Sequence, residues 1–208
     1  MLRIERLQVH SLPPLTFEVA NGECLGLEGP SGSGKTLLLR ALADLDPAPG
    51  YVTLDGQERA EMSAAEWRRR VRFVAAEAAW WGDTPRASFA DAARAERGLR
   101  AVGLAPEHLD RPLALLSTGE RQRLALVRAL ADEPKVLLLD EPTAALDATN
   151  AALVEELIRF QMLAGRSVIL VSHDTAQLER LADARLQLAD MRVARVAAEP
   201  AAAVGIAS

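Results

Sequence analysis

The sequence predicts an α/β fold in which a mostly parallel sheet is flanked by helices. Short apolar segments of strand length alternate along the chain with segments of helical spacing, which is typical of parallel sheets. A glycine-rich loop joins one of the apolar segments to a helical segment. Residues 85–131 are rich in alanine and arginine and contain few β-branched residues, so they predict a helical subdomain inserted between two strands.

The individual elements follow from the hydrophobic pattern. Apolar residues that alternate or run continuously predict strands at 2–9, 15–19, 24–28, 51–54, 71–75, 136–139 and 167–171, and short strands near Leu186 and Val193. Helical spacing predicts helices at 36–44, 149–163 and 174–181, and the capping-box spacing from Ser63 to Glu66 predicts a further helix that begins ahead of Trp67.

These elements indicate a single domain over residues 1–208. We expect its core to comprise 1–84 and 132–196, with the N-terminal strands forming an antiparallel β subdomain. The helical subdomain is expected at 85–131. Residues 197–208 are small and alanine-rich, and we expect them to form a frayed tail.

The composition excludes several classes of protein. Hydrophobic residues make up 50% of the chain and charged residues 25%, which excludes general disorder. A formal net charge of −5 is not that of a nucleic-acid binder. No segment has the roughly 20 apolar residues that cross a bilayer, and the N-terminus lacks the pattern of a secretory signal. We therefore expect no nucleic-acid partner and no covalent membrane anchor, and we interpret the single cysteine, Cys24, as a core residue.

A phosphate-binding loop is predicted between the strand at 24–28 and the helix at 36–44. The motif G-x-x-x-x-G-K-[ST] is matched by Gly29, Pro30, Ser31, Gly32, Ser33, Gly34, Lys35 and Thr36. Glycines let backbone N–H groups approach phosphate oxygens, and a helix N-terminus adds partial positive charge. Lys35 is predicted to contact the β- and γ-phosphates of a nucleoside triphosphate, and the Thr36 hydroxyl to ligate Mg²⁺. The alternative, a glycine-rich turn with a surface lysine, is disfavoured by the strand before the loop and the helix after it.

Two carboxylates follow the apolar strand at 136–139. Asp140 and Glu141 stand at the carboxyl end of this strand, where open α/β sheets bind ligands. Asp140 is predicted to support Mg²⁺ through a coordinated water, and Glu141 to polarise the attacking water as a general base. Adjacent acids could instead begin a solvated loop, but their combination with a phosphate loop favours catalysis.

Five segments of the chain together resemble the ATP-binding cassette ATPases. They are the phosphate loop, Leu116-Ser117-Thr118-Gly119-Glu120, the strand ending in Asp140-Glu141, Ala144-Ala145-Leu146-Asp147, and Ser172-His173-Asp174. Residues 116–131 are the most diagnostic part, because many other ATPases share the phosphate loop. The resemblance covers residues 2 to about 196 and implies a P-loop NTPase fold with ATP and Mg²⁺ as ligands.

By this resemblance, two copies of the chain would close head to tail around two ATP molecules. Ser117 and Gly119, at a helix N-terminus, would face the γ-phosphate held by the other copy, an arrangement that suits an anion. His173 would contact the same phosphate as a switch residue, and Asp147 would join the nucleotide site. Taken alone, the Ser117 segment is an ordinary helix N-cap, and a lone histidine is more often a structural group.

The sequence departs from the family pattern at four places. Thr118 and Glu120 stand where glycine and glutamine are usual. The glutamine that normally ligates Mg²⁺ would fall near Ala76, and our hypothesis is that the neighbouring Glu77 replaces it, with water as the alternative ligand. The aromatic residue that commonly stacks on adenine is also absent, which leaves His10 as a weak candidate.

A closer resemblance concerns the segments at 80–84 and 147–150. They are similar to small bacterial subunits that pair with compact permeases, some of which are assigned to the export of iron or other metals. Trp80 and Trp81 are predicted to form a groove that receives a permease helix. The alternative is that one or both of them pack between the subdomains.

The sequence therefore predicts the cytoplasmic ATPase subunit of a membrane transporter, held at the inner face of the cell membrane by a separate permease. A soluble cassette ATPase of DNA repair or translation is the first alternative. Only about 80 residues separate the phosphate loop from Ser117, too few for the coiled coils of repair proteins, and translation proteins carry two cassettes. The second alternative is an inactive scaffold, which the presence of Lys35, Asp140, Glu141 and His173 disfavours.

Overall fold

The computed structural model describes residues 1–10, 12–188 and 192–195 of the chain. The tail expected to be frayed, 197–208, lies outside the described residues. No helix in the described part of the chain is both long and apolar enough to cross a membrane.

Within these residues the chain forms ten strands and six α-helices. The strands are β1 (Leu2–Leu7), β2 (Leu15–Val19), β3 (Cys24–Glu28), β4 (Tyr51–Leu54), β5 (Gln57–Glu58), β6 (Val71–Val74), β7 (Val136–Asp140), β8 (Ser167–Val171), β9 (Ala184–Gln187) and β10 (Arg192–Arg195). The helices are α1 (Lys35–Leu42), α2 (Ala64–Arg70), α3 (Ala92–Leu99), α4 (Thr118–Ala131), α5 (Ala148–Leu163) and α6 (Thr175–Leu181).

The strands form two sheets. The larger has the order β10-β9-β3-β8-β7-β6, and all its neighbouring pairs are parallel except β10 with β9. The smaller sheet, β2-β1-β4-β5, is antiparallel. This arrangement confirms the predicted α/β fold with a mostly parallel sheet and an antiparallel β subdomain. Because β3, β7 and β8 lie side by side and run in the same direction, their carboxyl ends meet at one edge.

The hydrophobic pattern of β7 explains why this strand is central. All five of its residues are buried, as are all five of β8, which is typical of a parallel sheet covered on both faces. Val136 and Leu138 belong to the core shared with α1 and the antiparallel sheet. Leu137 and Leu139 belong to the core shared with α4 and α5. Successive side chains of β7 therefore point to opposite faces of the sheet and take part in the core on each face.

The region 85–131 is more irregular than a pair of helices. Besides α3 and α4 it contains 3₁₀ turns at Pro85–Ser88, Arg100–Val102, Pro106–Leu109 and Leu113–Leu115. Prolines stand at the start of two of these turns, where the missing N–H has no partner to lose.

Several boundaries differ from the predicted ones. The first strand ends at Leu7 instead of residue 9, after a register shift beside Arg6, whose φ is +51°. The seventh strand extends to Asp140, because this residue still pairs with Val171 of β8. The two-residue strand β5 was not predicted, since it is too short to show a period.

Candidate active site

The glycine-rich loop connects β3 to α1 and positions Lys35 across its own backbone. The Nζ of Lys35 donates hydrogen bonds to the carbonyl oxygens of Gly29 at 2.7 Å and Pro30 at 3.0 Å, and the side chain is buried. Gly34 is the N-cap of α1 with φ of +95°, a conformation that strains any residue with a Cβ. The loop therefore holds an ammonium group beside the free N–H groups of a helix N-terminus.

Thr36 and Asp140 bring the phosphate loop and the end of β7 into contact. The Thr36 hydroxyl donates to the Asp140 carboxylate at 2.7 Å, although 104 positions separate the two residues. Asp140 is buried. A hydroxyl and a carboxylate oxygen are ligands that Mg²⁺ prefers, so this pair fits the metal that the fold implies.

A cavity of about 310 Å³ lies above this pair. Its walls include Ser31, Gly32, Gly34, Lys35, Thr36, Asp140, Glu141 and His173. Gly29 and Pro30 are connected to this cavity because their carbonyls accept hydrogen bonds from Lys35. The N–H of Ser33 donates to the Pro30 carbonyl at 3.2 Å. The loop, the acidic strand end and the histidine predicted from the sequence are thus brought together at one place.

Glu141 is held in an unusual backbone conformation at the edge of this cavity. Its φ is +50°, which costs a non-glycine residue about 1–2 kcal/mol. The N–H of Glu141 donates to the Val171 carbonyl at 3.0 Å, and its own carbonyl accepts a hydrogen bond from Gln122. These two bonds stabilise the strained turn, and strain of this kind is frequent at functional sites.

The carboxylate of Glu141 pairs with His173. One oxygen accepts the backbone N–H of His173 at 3.3 Å, and the other lies 3.4 Å from the imidazole Nε2. Burial raises the pKa of the Glu141 carboxyl above its ordinary value, and the contacts with His173 oppose this rise. A carboxylate with a raised pKa is a stronger proton acceptor, which suits a general base.

Sequence reasoning missed Gln122. This side chain is buried on α4 and reaches the strand end of the other subdomain. Its position was detectable in principle, because Gly119, Gln122 and Leu126 fall on one face at helical spacing. A polar residue on an otherwise buried face is a signal of a specific hydrogen bond.

Ser117 lies at the N-terminus of α4 and forms a reciprocal cap with Glu120. The Ser117 hydroxyl accepts the N–H of Glu120 at 3.2 Å, and the Glu120 carboxylate accepts the N–H of Ser117 at 2.7 Å. This backbone hydrogen bond is the main reason that the pKa of Glu120 is lowered. Arg111 and His108 also lie 3.2 Å from Glu120 and offset its charge. Ser117 itself is exposed and, within the described chain, does not line the cavity at Lys35.

Gly119 and Asp147 contact neighbouring segments of the same chain. A Cβ on Gly119 would lie 2.8 Å from the Leu146 side chain and 2.9 Å from the Ala145 carbonyl, so α4 closely approaches the segment before α5. Asp147 is the N-cap of α5 and accepts the N–H of Asn150 at 2.9 Å, which lowers its pKa. The assignment of these two residues to a nucleotide stays a prediction.

Glu77 and its neighbour Ala76 line different cavities. Ala76 lines the cavity at Lys35, whereas Glu77 lines a separate cavity of about 420 Å³ that also contains Trp81 and Arg128. These two adjacent residues therefore face different cavities. This placement disfavours Glu77 as a metal ligand beside Thr36 and Asp140 and favours the alternative, in which water replaces the missing glutamine.

His10 stays a prediction as the adenine-stacking residue. It is exposed and has φ of +45°. The nearby Leu12 packs against the phosphate loop, since a Cβ on Gly34 would lie 3.1 Å from its side chain. The segment after β1 therefore lies next to the loop.

Comparisons with known proteins agree with this geometry. The sequence profile of the family described as ABC transporter matches residues 12–144. The hemin import ATP-binding protein HmuV of Streptomyces coelicolor is 40% identical over 205 residues, which cover 90% of this chain and 71% of that protein. The aliphatic sulfonates import ATP-binding protein SsuB 2 of Pseudomonas syringae is 42% identical, with coverage of 86% of this chain and 64% of that protein.

Solved structures show the same fold. The ATP-binding cassette MJ0796, solved as a dimer in a post-hydrolysis state with ADP and Pi, has a TM-score of 0.82 at 24% identity, and the match covers 94% of this chain and 98% of that one. A bacterial Atm1-family ABC exporter with ATP bound has a TM-score of 0.80 at 26% identity, covering 90% of this chain and 36% of that one.

The family resemblance stated from the motifs is thus confirmed, whereas the pairing with compact metal-export permeases stays a prediction. The chain spans about a third to two thirds of the length of the first curated relatives that it matches. The matched profile covers more than half of this chain and contains both the phosphate loop and Glu141. The chain therefore belongs to the ABC transporter family.

Proposed function

We propose that this chain binds ATP, hydrolyses it, and powers a separate membrane permease. The observation that carries the proposal is the meeting of Lys35, Asp140, Glu141 and His173 at one cavity. These residues follow β3, β7 and β8, whose carboxyl ends lie at the same edge of the sheet, where α/β proteins bind their ligands.

The phosphate tail of ATP would bind to the loop. The Nζ of Lys35 already lies against the loop carbonyls, and the N-terminus of α1 directs free N–H groups to the same place. Thr36 and Asp140 would hold Mg²⁺, which would neutralise charge on the β- and γ-phosphate oxygens.

Variants of Glu77 and Asp140 test which of these two residues binds Mg²⁺. Glu77→Ala and Glu77→Gln should show the same Mg²⁺ dependence of ATP hydrolysis as the wild type, because Glu77 lines the other cavity. Asp140→Asn is the control and should need clearly more Mg²⁺, since a charged ligand is replaced by a neutral one. A raised Mg²⁺ requirement for Glu77→Ala alone would return Glu77 to the metal site.

Glu141 is the proposed general base of hydrolysis. Its carboxylate would take the proton from the attacking water, and burial strengthens it as a proton acceptor. His173 is exposed, so its imidazole, which lies 3.4 Å from the Glu141 carboxylate, would turn from this contact to the γ-phosphate.

A second copy of the chain would complete the site. Ser117 is exposed at the N-terminus of α4 and lies outside the cavity described above. The reciprocal cap uses the N–H groups of Ser117 and Glu120 and leaves those of Thr118 and Gly119 for a phosphate held by another molecule. The dimer in which MJ0796 was solved supports this assembly. Ser117 and Gly119 of each copy would then face the γ-phosphate bound at Lys35 of the other.

The permease would dock in the cavity lined by Trp81. Trp81 is 63% exposed, and Leu45 in the same cavity is 40% exposed. Trp80 instead packs against the core that contains α4, so we assign the docking role to Trp81 alone. The Arg128 guanidinium lies 4.4 Å from the ring centre of Trp80 and 5.0 Å from that of Trp81, which holds both rings in place.

The apolar floor of this cavity favours an amphipathic helix as its occupant. Of the arginines around it, Arg40 is paired with Asp46, Arg72 is paired with Asp132, and Arg128 lies against the two tryptophan rings. The relatives from Streptomyces and Pseudomonas are named as import ATP-binding proteins, which supports a role in transport. Docking on a permease would place this chain at the cytoplasmic face of the membrane.

The transport proposal is tested with a candidate permease, a multi-spanning protein encoded by a reading frame that neighbours the one for this chain. Reconstituted in liposomes, that protein should change the rate of ATP hydrolysis by the wild-type chain. Trp81→Ala should abolish this change and leave the basal rate intact, because Trp81 lies away from Lys35 and Glu141. Phe160→Ala, an exposed aromatic on α5, is the matched control. Stimulation by DNA or ribosomes instead would favour the soluble alternative.

A further inference from the structure

A polar cluster with a buried centre lies beside the active site, and its members do not line the cavity at Lys35. It joins α5, α6 and the segment that follows Glu141. Its members are Thr143, Glu155, Gln177 and Arg180. Gln177 is 1% exposed and lies at its centre.

The amide of Gln177 bonds in two directions. Its Nε2 donates to the Thr143 hydroxyl at 2.9 Å and to the Glu155 carboxylate at 3.2 Å. Glu155 in turn accepts two hydrogen bonds from Arg180, at 2.7 and 2.9 Å, and this contact lowers its pKa. The amide is therefore anchored on a paired carboxylate, which fixes its orientation toward Thr143.

Both ends of this cluster lead to the Glu141–His173 pair. Thr143 stands two residues after Glu141, within the turn that gives Glu141 its positive φ. On the other side, Asp174 caps α6 by accepting the N–H of Gln177 at 3.2 Å, and Asp174 directly follows His173. The His173 N–H closes the ring by donating to the Glu141 carboxylate.

We propose that Gln177 is a positioning residue, which holds the turn at Glu141 and the start of α6 in one register and so aims the Glu141 carboxylate. The inference rests on the proposed ATP hydrolysis. Gln177 does not touch the phosphate loop, so its loss affects the orientation of the base and leaves the binding of ATP intact. A misplaced base lowers the rate of the chemical step even when the substrate is bound normally.

The test removes the hydrogen bond between Gln177 and Thr143 from either side. Gln177→Leu and Thr143→Val should each lower kcat by about 10- to 100-fold. The KM for ATP and the Kd of ATP measured by equilibrium binding should stay at wild-type values. Thr143→Ser keeps the hydroxyl and should restore most of kcat. The double variant Gln177→Leu with Thr143→Val should be no slower than either single variant, since both remove the same bond.

A purely structural role is distinguished by a matched control. Gln161 is a second buried glutamine, and it lies on α5 at the opposite end of the helix from Asp147. It accepts a hydrogen bond from Arg166 at 2.6 Å. Gln161→Leu should lower Tm but leave kcat unchanged. If Gln177→Leu does not fold, the nearly isosteric Thr143→Val decides the matter.

The outcomes separate the inference from the function on which it rests. An unchanged kcat in Gln177→Leu and Thr143→Val, in a wild type that hydrolyses ATP, overturns the positioning role alone. A rise in the KM for ATP that accounts for the whole loss also overturns it. A wild-type chain that binds ATP without hydrolysing it overturns the proposed function, and the positioning role with it.

Discussion

Glu141→Gln should lower the turnover of ATP by about 10²- to 10⁴-fold while ATP binding is kept. Glutamine has nearly the shape of glutamate, so the hydrogen bond from the His173 N–H and the strained turn can persist. It cannot accept a proton from water, and the bound nucleotide is therefore not hydrolysed. Since the proposed dimer closes on ATP, this variant should accumulate as a nucleotide-bound dimer. Gel filtration with ATP, together with phosphate release, measures both effects.

Lys35→Ala is the contrasting control for this experiment. The ammonium that lies on the loop carbonyls is lost, so this variant should fail to bind ATP and should stay monomeric at the same ATP concentration. Wild-type turnover in Glu141→Gln would remove Glu141 from the role of base. Loss of ATP binding in Glu141→Gln would indicate a binding role instead.

Mixing two inactive variants should restore one active site per heterodimer. Lys35→Ala damages the phosphate loop, and Ser117→Arg places a bulky cation where α4 would meet the partner's γ-phosphate. In a head-to-tail pair, one site then combines both defects, while the other combines the intact Lys35 of one chain with the intact Ser117 of the other. Each variant alone should be inactive, and the purified heterodimer should bind one ATP stably.

The same mixture discriminates between assembly models. If each site were built within one chain, every chain in the mixture would carry a defect and no site would be intact. Two equally active sites in the heterodimer would also contradict the head-to-tail arrangement. Nucleotide stoichiometry on heterodimers with two different affinity tags measures the outcome, and Thr118→Arg, on the same exposed turn, tests whether any added arginine has this effect.

Much of the fold was predictable because its signals are local. The continuous apolar run that forms β7 and the glycine-rich loop before α1 are each contained in fewer than ten residues. The large sheet and the antiparallel sheet followed from the alternation of strand and helix patterns. The irregular turns of 85–131 were not predicted as such, since 3₁₀ turns lack a hydrophobic period long enough to detect.

The sequence by itself determined which chemical groups the protein has and at which strand ends they stand: Lys35 and Thr36 after β3, Asp140 and Glu141 at the end of β7, and His173 after β8. Only the tertiary structure decided which of them touch. The Thr36–Asp140 contact depends on how β3, β8 and β7 are ordered in the sheet.

The contacts of Gln122 and Gln177, and the placement of Glu77 in a cavity apart from that at Lys35, were likewise decided by the tertiary structure. The physical reason is that hydrogen bonds between distant residues depend on packing distances of a few tenths of an ångström. Local patterns of polarity determine which face of an element is buried, but they do not determine which atom it meets there.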